Sequence, residues 1–278
     1  VAKIVRKERL SADLVRMILE AREIAETRKA GQFIVLRINE EGERIPLTIA
    51  DGDPKAGTIT IIFQEVGKST KLLGSMDKGD EILDLAGPLG KPTHIEKFGT
   101  AVCVGGGVGV APMFPITEAL KKAGNKVITI IGSRTKDLLI LEEEMKAISD
   151  RLVVMTDDGT YGQKGFVTQA LEEIIKSGEK VDIVVAIGPV VMMRAVSEVT
   201  RPYKIPTVVS LNSIMVDATG MCGGCRVSVG GKSKFACVEG PEFDGHLVDF
   251  KELMMRQKTY MKQEHESLEC FLNQALKK

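Results

Sequence analysis

The chain has 278 residues, 44% of them hydrophobic, and its 38 Lys and Arg balance 38 Asp and Glu. That length is more than one ordinary core fills and implies two or three domains, and the neutral balance argues against nucleic acid or an acidic membrane as a partner. No apolar run reaches the ~20 residues of a membrane helix, the opening VAKIVRKERL lacks the apolar core of a signal peptide, and five unevenly placed cysteines do not suit a disulfide framework, so a reduced, cytoplasmic setting is expected.

Over residues 1–97, KIVRKERLSADLVRMILEA, GQFIVLRI and GTITIIFQEV are β-rich runs separated by Gly, Asp and Pro turns, and DEILDLAGPLG adds another strand. Short strands with such even punctuation predict a small antiparallel barrel. Over 98–207 the rhythm changes. Apolar strands TAVCVGGG, KVITIIGS, RLVVMT, VDIVVAIG and TVVSLN alternate with helical APMFPITEALKKAG, DLLILEEEMKAIS, GFVTQALEEIIKSG and PVVMMRAVSEVTRPY. Buried strands alternating with helices build a parallel, doubly wound sheet, so the fold class is α/β plus all-β. Residues 208–249 are Gly- and Cys-rich with little periodicity, as a small metal-organised module is. Residues 250–278 carry apolar residues at helical spacing among many charges, which predicts one amphipathic helix or two.

Three of the five cysteines, Cys222, Cys225 and Cys237, fall within sixteen residues. Two thiolates on a tight Gly-Gly turn can aim both sulfurs at one centre, and Gly223 and Gly224 let the backbone come close. Plant-type 2Fe–2S proteins space their ligands C-x4-C-x2-C…C. Counting back from Cys222 on that pattern reaches Asp217, so the stretch reads Asp217-x4-Cys222-x2-Cys225-x11-Cys237. A structural zinc site would use the same three cysteines with Asp217 or His246. Cys103 falls in a buried strand and reads as core; Cys270 falls on the tail helix.

Gly105, Gly106, Gly107 and Gly109 lie between a strand and a helix, where backbone amides attract phosphate and glycines admit a pyrophosphate. The loop is no clean GxGxxG, and tight strand–helix packing would ask for the same residues. Asp157, in a polar turn, and Gly188-Pro189 follow later strands on the same expected sheet edge. In the barrel, Arg44 is a natural anion clamp, and Gly67, Ser69 and Thr70 open a short helix that makes a second anion site. The plain alternatives are a surface arginine and an ordinary helix cap.

Taken in order, RIPLT…GKST, GGGVGVAP…TDDG…GP and the cysteine set resemble the ferredoxin–NADP reductase superfamily. Within it the chain is similar to the electron-transfer subunits of dihydroorotate dehydrogenase. It is more similar to the small subunits of the electron-bifurcating NADH-dependent ferredoxin:NADP oxidoreductases, also known as sulfide dehydrogenase β subunits. The most specific element is Asp217, because the dihydroorotate relatives are expected to carry Cys there. The resemblance implies an FAD-binding barrel, an NAD(P)-binding domain and a 2Fe–2S module held by Asp217, Cys222, Cys225 and Cys237. It implies that Arg44 contacts the FAD pyrophosphate, with Pro46, Leu47 and Thr48 beside the ring and Thr48 near flavin N5. Gly67, Ser69 and Thr70 would hold the flavin phosphates, and the loop Gly105–Gly109 with Asp157, Gly188 and Pro189 the nicotinamide nucleotide. NAD(H) is the expected nucleotide; Ser133 and Arg134, after the second strand, leave NADP(H) open. The implied partner is a large subunit with its own flavin and 4Fe–4S clusters, forming a heterodimer that reaches ferredoxin indirectly. The sequence departs from the pattern at Leu47, where an aromatic is usual, at Arg44, one position further from Thr48, and at Ile187, where Cys precedes Gly-Pro. A dihydroorotate dehydrogenase subunit and a zinc-stabilised, non-catalytic interaction module are the alternative readings.

Overall fold

The computed structural model describes residues 1–275. Its first seven strands are β1 (Ala2–Arg9), β2 (Leu14–Glu20), β3 (Phe33–Arg37), β4 (Ile45–Asp53), β5 (Thr58–Gln64), β6 (Glu81–Ile82) and β7 (Asp84–Leu89). All pair antiparallel in the order β6-β1-β2-β5-β4-β3-β7. The two edge strands are separated in the chain by Leu83 alone, so the twisted sheet curls until its edges nearly meet. Alternate residues point inward, and Ile4, Met17, Leu19, Ile34, Leu36, Ile59 and Ile61 fill the interior. Two helices add to that core: α1 (Arg22–Thr27) through Ile24 and Ala25, and α2 (Lys68–Ser75) through Leu73, whose burial stabilises by about 2 kcal/mol. Helix α1 is too short for its two apolar residues to show a period, and the β-rich reading of that stretch passed over it.

The next unit alternates as expected: β8 (Thr100–Gly106), α3 (Val110–Lys122), β9 (Lys126–Ser133), α4 (Glu142–Ile148), β10 (Arg151–Thr156), β11 (Gln163–Lys164), α5 (Val167–Lys176), β12 (Ile183–Ile187), α6 (Val190–Thr200) and β13 (Thr207–Ser210). Strands β10-β9-β8-β12-β13 run parallel in that order, with β11 added at one edge. Helices α3 and α4 cover one face and α5 and α6 the other. The helix expected over DLLILEEEMKAIS is only partly there. Ile140 is buried in an extended segment, Leu141 takes a left-handed conformation (φ 56°), and α4 starts after it. Apolar burial decided that segment rather than helical period.

The cysteine-rich stretch forms a hairpin, β14 (Arg226–Val229) and β15 (Lys232–Phe235), then a single turn, α7 (Ala236–Glu239). A third strand, β16 (Glu242–Asp244), returns to the nucleotide sheet and pairs antiparallel with β13. The tail forms two helices, α8 (Phe250–Gln257) and α9 (Met261–Ala275); residues 276–278 of the expected helical tail lie outside the described residues. The units do not stand apart. Phe33 and Val35 of the barrel share one apolar core with Val184 and Ala186 of the sheet and Cys225 and Cys237 of the hairpin. Leu14, Ala50 and Ile62 share another with Met113 and Ile116 of α3.

Candidate functional site

Strand β4 carries Pro46, Leu47 and Thr48 opposite Val35, Ile34 and Phe33 of β3, with all three side chains half-buried. Leu47 packs on the barrel core. Arg44 lies one residue ahead of the strand and is exposed. Gly67 caps α2; its amide donates to the Thr70 hydroxyl at 3.0 Å, and that hydroxyl donates back to the Gly67 carbonyl at 3.1 Å. The first-turn amides of Lys68, Ser69 and Thr70 have no acceptor within the helix. Ser69 donates its hydroxyl to Glu43 at 3.0 Å, so a carboxylate already sits where an oxyanion would meet this helix start. Glu43, beside Arg44, escaped sequence reasoning; an acid next to a presumed anion clamp was the only signal for it. The residues fit a flavin pyrophosphate: uncommitted amides, hydroxyls and one exposed arginine, at a place that attracts an oxygen anion.

Helix α3 lies across β4, and the turn Gly107–Gly109 lies beside β5, so the start of the nucleotide unit packs on the strand that carries Thr48. The sheet order reverses between β8 and β12, and at such a switch point the two following loops part to admit a ligand. Those loops are Gly105–Gly109 and Gly188-Pro189; Gly105 pairs with Ile187 across the two strands. The glycines divide by role. A Cβ at Gly105 would meet the Met113 methyl at 2.7 Å, one at Gly106 the Met192 sulfur, and one at Gly109 the Ile187 carbonyl and the Gly188 Cα. These three allow close strand–helix packing. Gly107 has φ +56° and open space where its Cβ would stand, which suits the approach of a ligand to the backbone. Asp157 is exposed after β10, with its amide held by the Ser133 carbonyl at 3.1 Å. Pro189 is exposed at the start of α6.

In the cysteine stretch, the eleven residues between Cys225 and Cys237 are the hairpin. Gly230 and Gly231, both at positive φ, form its two-residue turn. The hairpin sets the Cys225 and Cys237 sulfurs 3.2 Å apart. Burial pushes the Cys237 thiol up to about 12, helped by its hydrogen bond with Cys225, so metal loading here is coupled to proton release. On the adjoining loop, Asp217 accepts the Thr219 amide at 3.0 Å. That bond, and then one with the Cys222 thiol, holds its carboxyl below the usual carboxylate range. Amides point at sulfur at Gly224 to Cys222 and at Cys237 to Cys225, both 3.4 Å. The four side chains therefore stand as two pairs, Asp217 with Cys222 and Cys225 with Cys237. Two pairs suit two irons, and the amide donors suit thiolate sulfur. His246, the other zinc ligand considered, is held by the Thr200 hydroxyl at 2.9 Å. Cys103 is buried in β8, its thiol pushed up to about 11 by burial, and Cys270 is exposed on α9. Arg256, which donates to the Gly224 carbonyl at 3.1 Å, gave no signal in the sequence, because it lies in the helical tail 32 positions away.

Residues 103–198 match the model of the oxidoreductase NAD-binding domain. Residues 212–249 match the iron–sulfur cluster binding domain of dihydroorotate dehydrogenase B. A Thermotoga maritima homologue of the dihydroorotate dehydrogenase B (NAD(+)) electron transfer subunit is 48% identical over 273 residues, 98% of this chain and 96% of that one. The chain belongs to that family. Among solved structures, a chain of the NADH-dependent reduced ferredoxin–NADP oxidoreductase, described for flavin-based electron bifurcation, is 47% identical. It superposes with a TM-score of 0.93 over 98% of both chains. A Neisseria gonorrhoeae ferredoxin–NADP+ reductase, 19% identical over 73% of this chain and 90% of its own, shares the fold with a TM-score of 0.57. Family membership makes the chain an electron-transfer oxidoreductase with the reductase fold, an NAD-binding domain and an iron–sulfur domain.

Proposed function

We propose that this chain is the small subunit of an NADH-dependent reduced ferredoxin–NADP oxidoreductase, working in the cytoplasm as a heterodimer with a larger flavin and 4Fe–4S subunit. The observation that carries this reading is the likeness to that enzyme over 98% of both chains at 47% identity. When bound, FAD exchanges a hydride with NAD(H) and the 2Fe–2S cluster passes single electrons on. The chain's own residues bind and position. Arg44 and the amides at the start of α2 neutralise the flavin pyrophosphate, with Glu43 giving up Ser69 to it. Thr48 holds the reacting edge of the ring from β4, and Leu47 packs against it without stacking. Gly107 admits the nucleotide backbone at the switch point, with Asp157, Gly188 and Pro189 at its margins. Asp217 and Cys222 would hold one iron, Cys225 and Cys237 the other. No described helix is long and apolar enough to cross a membrane.

A second reading, the electron-transfer subunit of a dihydroorotate dehydrogenase, is favoured by the iron–sulfur domain model and the Thermotoga maritima relative. Asp217, where a fourth thiolate is expected in that enzyme, supports the first reading. The test is to load the chain with FAD, iron and sulfide and mix it anaerobically with NADH. Its flavin absorbance should bleach, and the protein that co-purifies with the chain should carry flavin and 4Fe–4S clusters and reduce NADP+, not oxidise dihydroorotate. Dihydroorotate oxidation by the complex selects the second reading, and no bleaching by NADH or NADPH removes both.

A further inference from the structure

Beside the Gly223-Gly224 turn, between the segment leading to Asp217 and helix α8, lies a cavity of about 120 Å3, more than one water fills. Arg226 and Arg256 line it. Among the described residues neither guanidinium meets a carboxylate; Arg256 makes its one side-chain hydrogen bond to the Gly224 carbonyl, and Arg226 makes none. Ser213 also lines the cavity, with its hydroxyl turned away and sealed from solvent. Two other polar groups there are engaged: Gln257 donates to the Asn212 carbonyl at 3.0 Å, and Thr259 donates to the Arg256 carbonyl at 2.7 Å. Leu253 gives the cavity an apolar wall, which strengthens any charge interaction inside it.

Two arginines on one cavity wall, neither meeting a carboxylate, ask for an oxygen anion. We propose that this cavity is a binding site for a small oxyanion of the phosphate or carboxylate type, held by Arg226 and Arg256. The site reports to the cysteine loop. Arg256 shares its guanidinium with the Gly224 carbonyl, and the amide of Gly224 donates to Cys222 Sγ at 3.4 Å. An anion at Arg256 therefore acts on the residue that supports a cluster sulfur. Resting on the iron–sulfur reading above, a bound anion disfavours the added negative charge of reduction, and by linkage it binds more tightly to the oxidised protein.

The test is calorimetric titration of the FAD- and iron-loaded chain with inorganic phosphate and, separately, acetate, in the oxidised and dithionite-reduced forms. Saturable binding is expected, weaker after reduction. Arg256→Gln and Arg226→Gln should each weaken it by roughly ten- to a hundredfold, the usual size for loss of a charge-assisted hydrogen bond. Arg226 holds no other side chain or backbone group, so Arg226→Gln tests the site without threatening the fold. Paramagnetic resonance of the reduced protein should change on phosphate addition in the parent chain and not in Arg256→Gln. Repeating the titration in the complex distinguishes the source: binding retained means a free ion, and binding lost on assembly means a carboxylate of the partner subunit. No saturable binding of either anion, or binding indifferent to both arginine substitutions, overturns the proposal. Iron and sulfide analysis of the same samples separates that failure from a failure of the cluster reading.

Discussion

Asp217 is placed by its own turn: the Thr219 amide fixes its carboxylate and Ala218 turns the chain at φ 60°, so the ligand it would supply is an oriented oxygen. Asp217→Cys should retain iron and sulfide with a changed visible spectrum, since sulfur replaces a harder oxygen donor. Asp217→Ala should lose iron on dialysis, while Cys103→Ser and Cys270→Ser should keep it; equal retention in Asp217→Ala would remove the aspartate from the ligand set. A second carboxyl bears on stability. Glu242 accepts the Thr93 hydroxyl at 2.5 Å, and burial pushes it up to about 7, the hydrogen bond offsetting this only in part. A folded-state value above the unfolded one means that the native protein holds the proton more tightly. The contribution, a few kcal/mol at most, is complete below about pH 4.5, falls as pH rises and is gone above about 7. Denaturant midpoints measured across that window should drop with rising pH more steeply in the parent chain than in Glu242→Gln. Identical slopes would mean that Glu242 is ordinarily solvated.

At the scale of elements, the glycine loop makes two different demands. Gly109→Ala drives a methyl into the backbone of Ile187 and Gly188, so the turn before α3 and the end of β12 must part; thermal melting should fall by far more than for Gly107→Ala. Gly107→Ala meets nothing in the protein and bears only the left-handed conformation, about 1–2 kcal/mol, yet it should weaken NADH binding in a fluorescence titration. If Gly109→Ala melts no earlier than Gly107→Ala, the close packing is not rigid. How these elements could be read varied with how local their causes are. The alternation over 98–207 was legible because each strand and helix carries its own period. The hairpin between Cys225 and Cys237 was written in VSVGGKSKF, whose Gly-Gly pair dictates a two-residue turn, although the stretch looked merely aperiodic. What sequence could not show is what distant segments do to one another. Helix α4 was shortened by burial of Ile140, Ser69 is met by Glu43 from 26 positions away, and Arg256 reaches Gly224 from the tail.

For the whole molecule, the shared cores matter more than the division into sheets. The apolar layer on one face of the nucleotide sheet takes in Phe33 and Val35 of the barrel, and the layer on the other takes in Leu14, Ala50 and Ile62. Cutting the chain after residue 97 would lay these side chains open to water. Residues 1–97 expressed alone should therefore be aggregation-prone. The FAD-loaded full chain should lose flavin fluorescence quenching and far-ultraviolet dichroism at one common denaturant concentration. Two well-separated transitions would show that the barrel folds by itself.

The return of β16 to the nucleotide sheet has a consequence for kinetics. The polypeptide leaves that sheet at β13, forms the cysteine hairpin and re-enters beside the strand it left, so the hairpin is a loop stitched down at both feet. A cluster carried there cannot swing between donor and acceptor as a tethered carrier domain does. Electron passage would be set by fixed tunnelling gaps, and its rate in stopped flow should stay level as glycerol thickens the solvent.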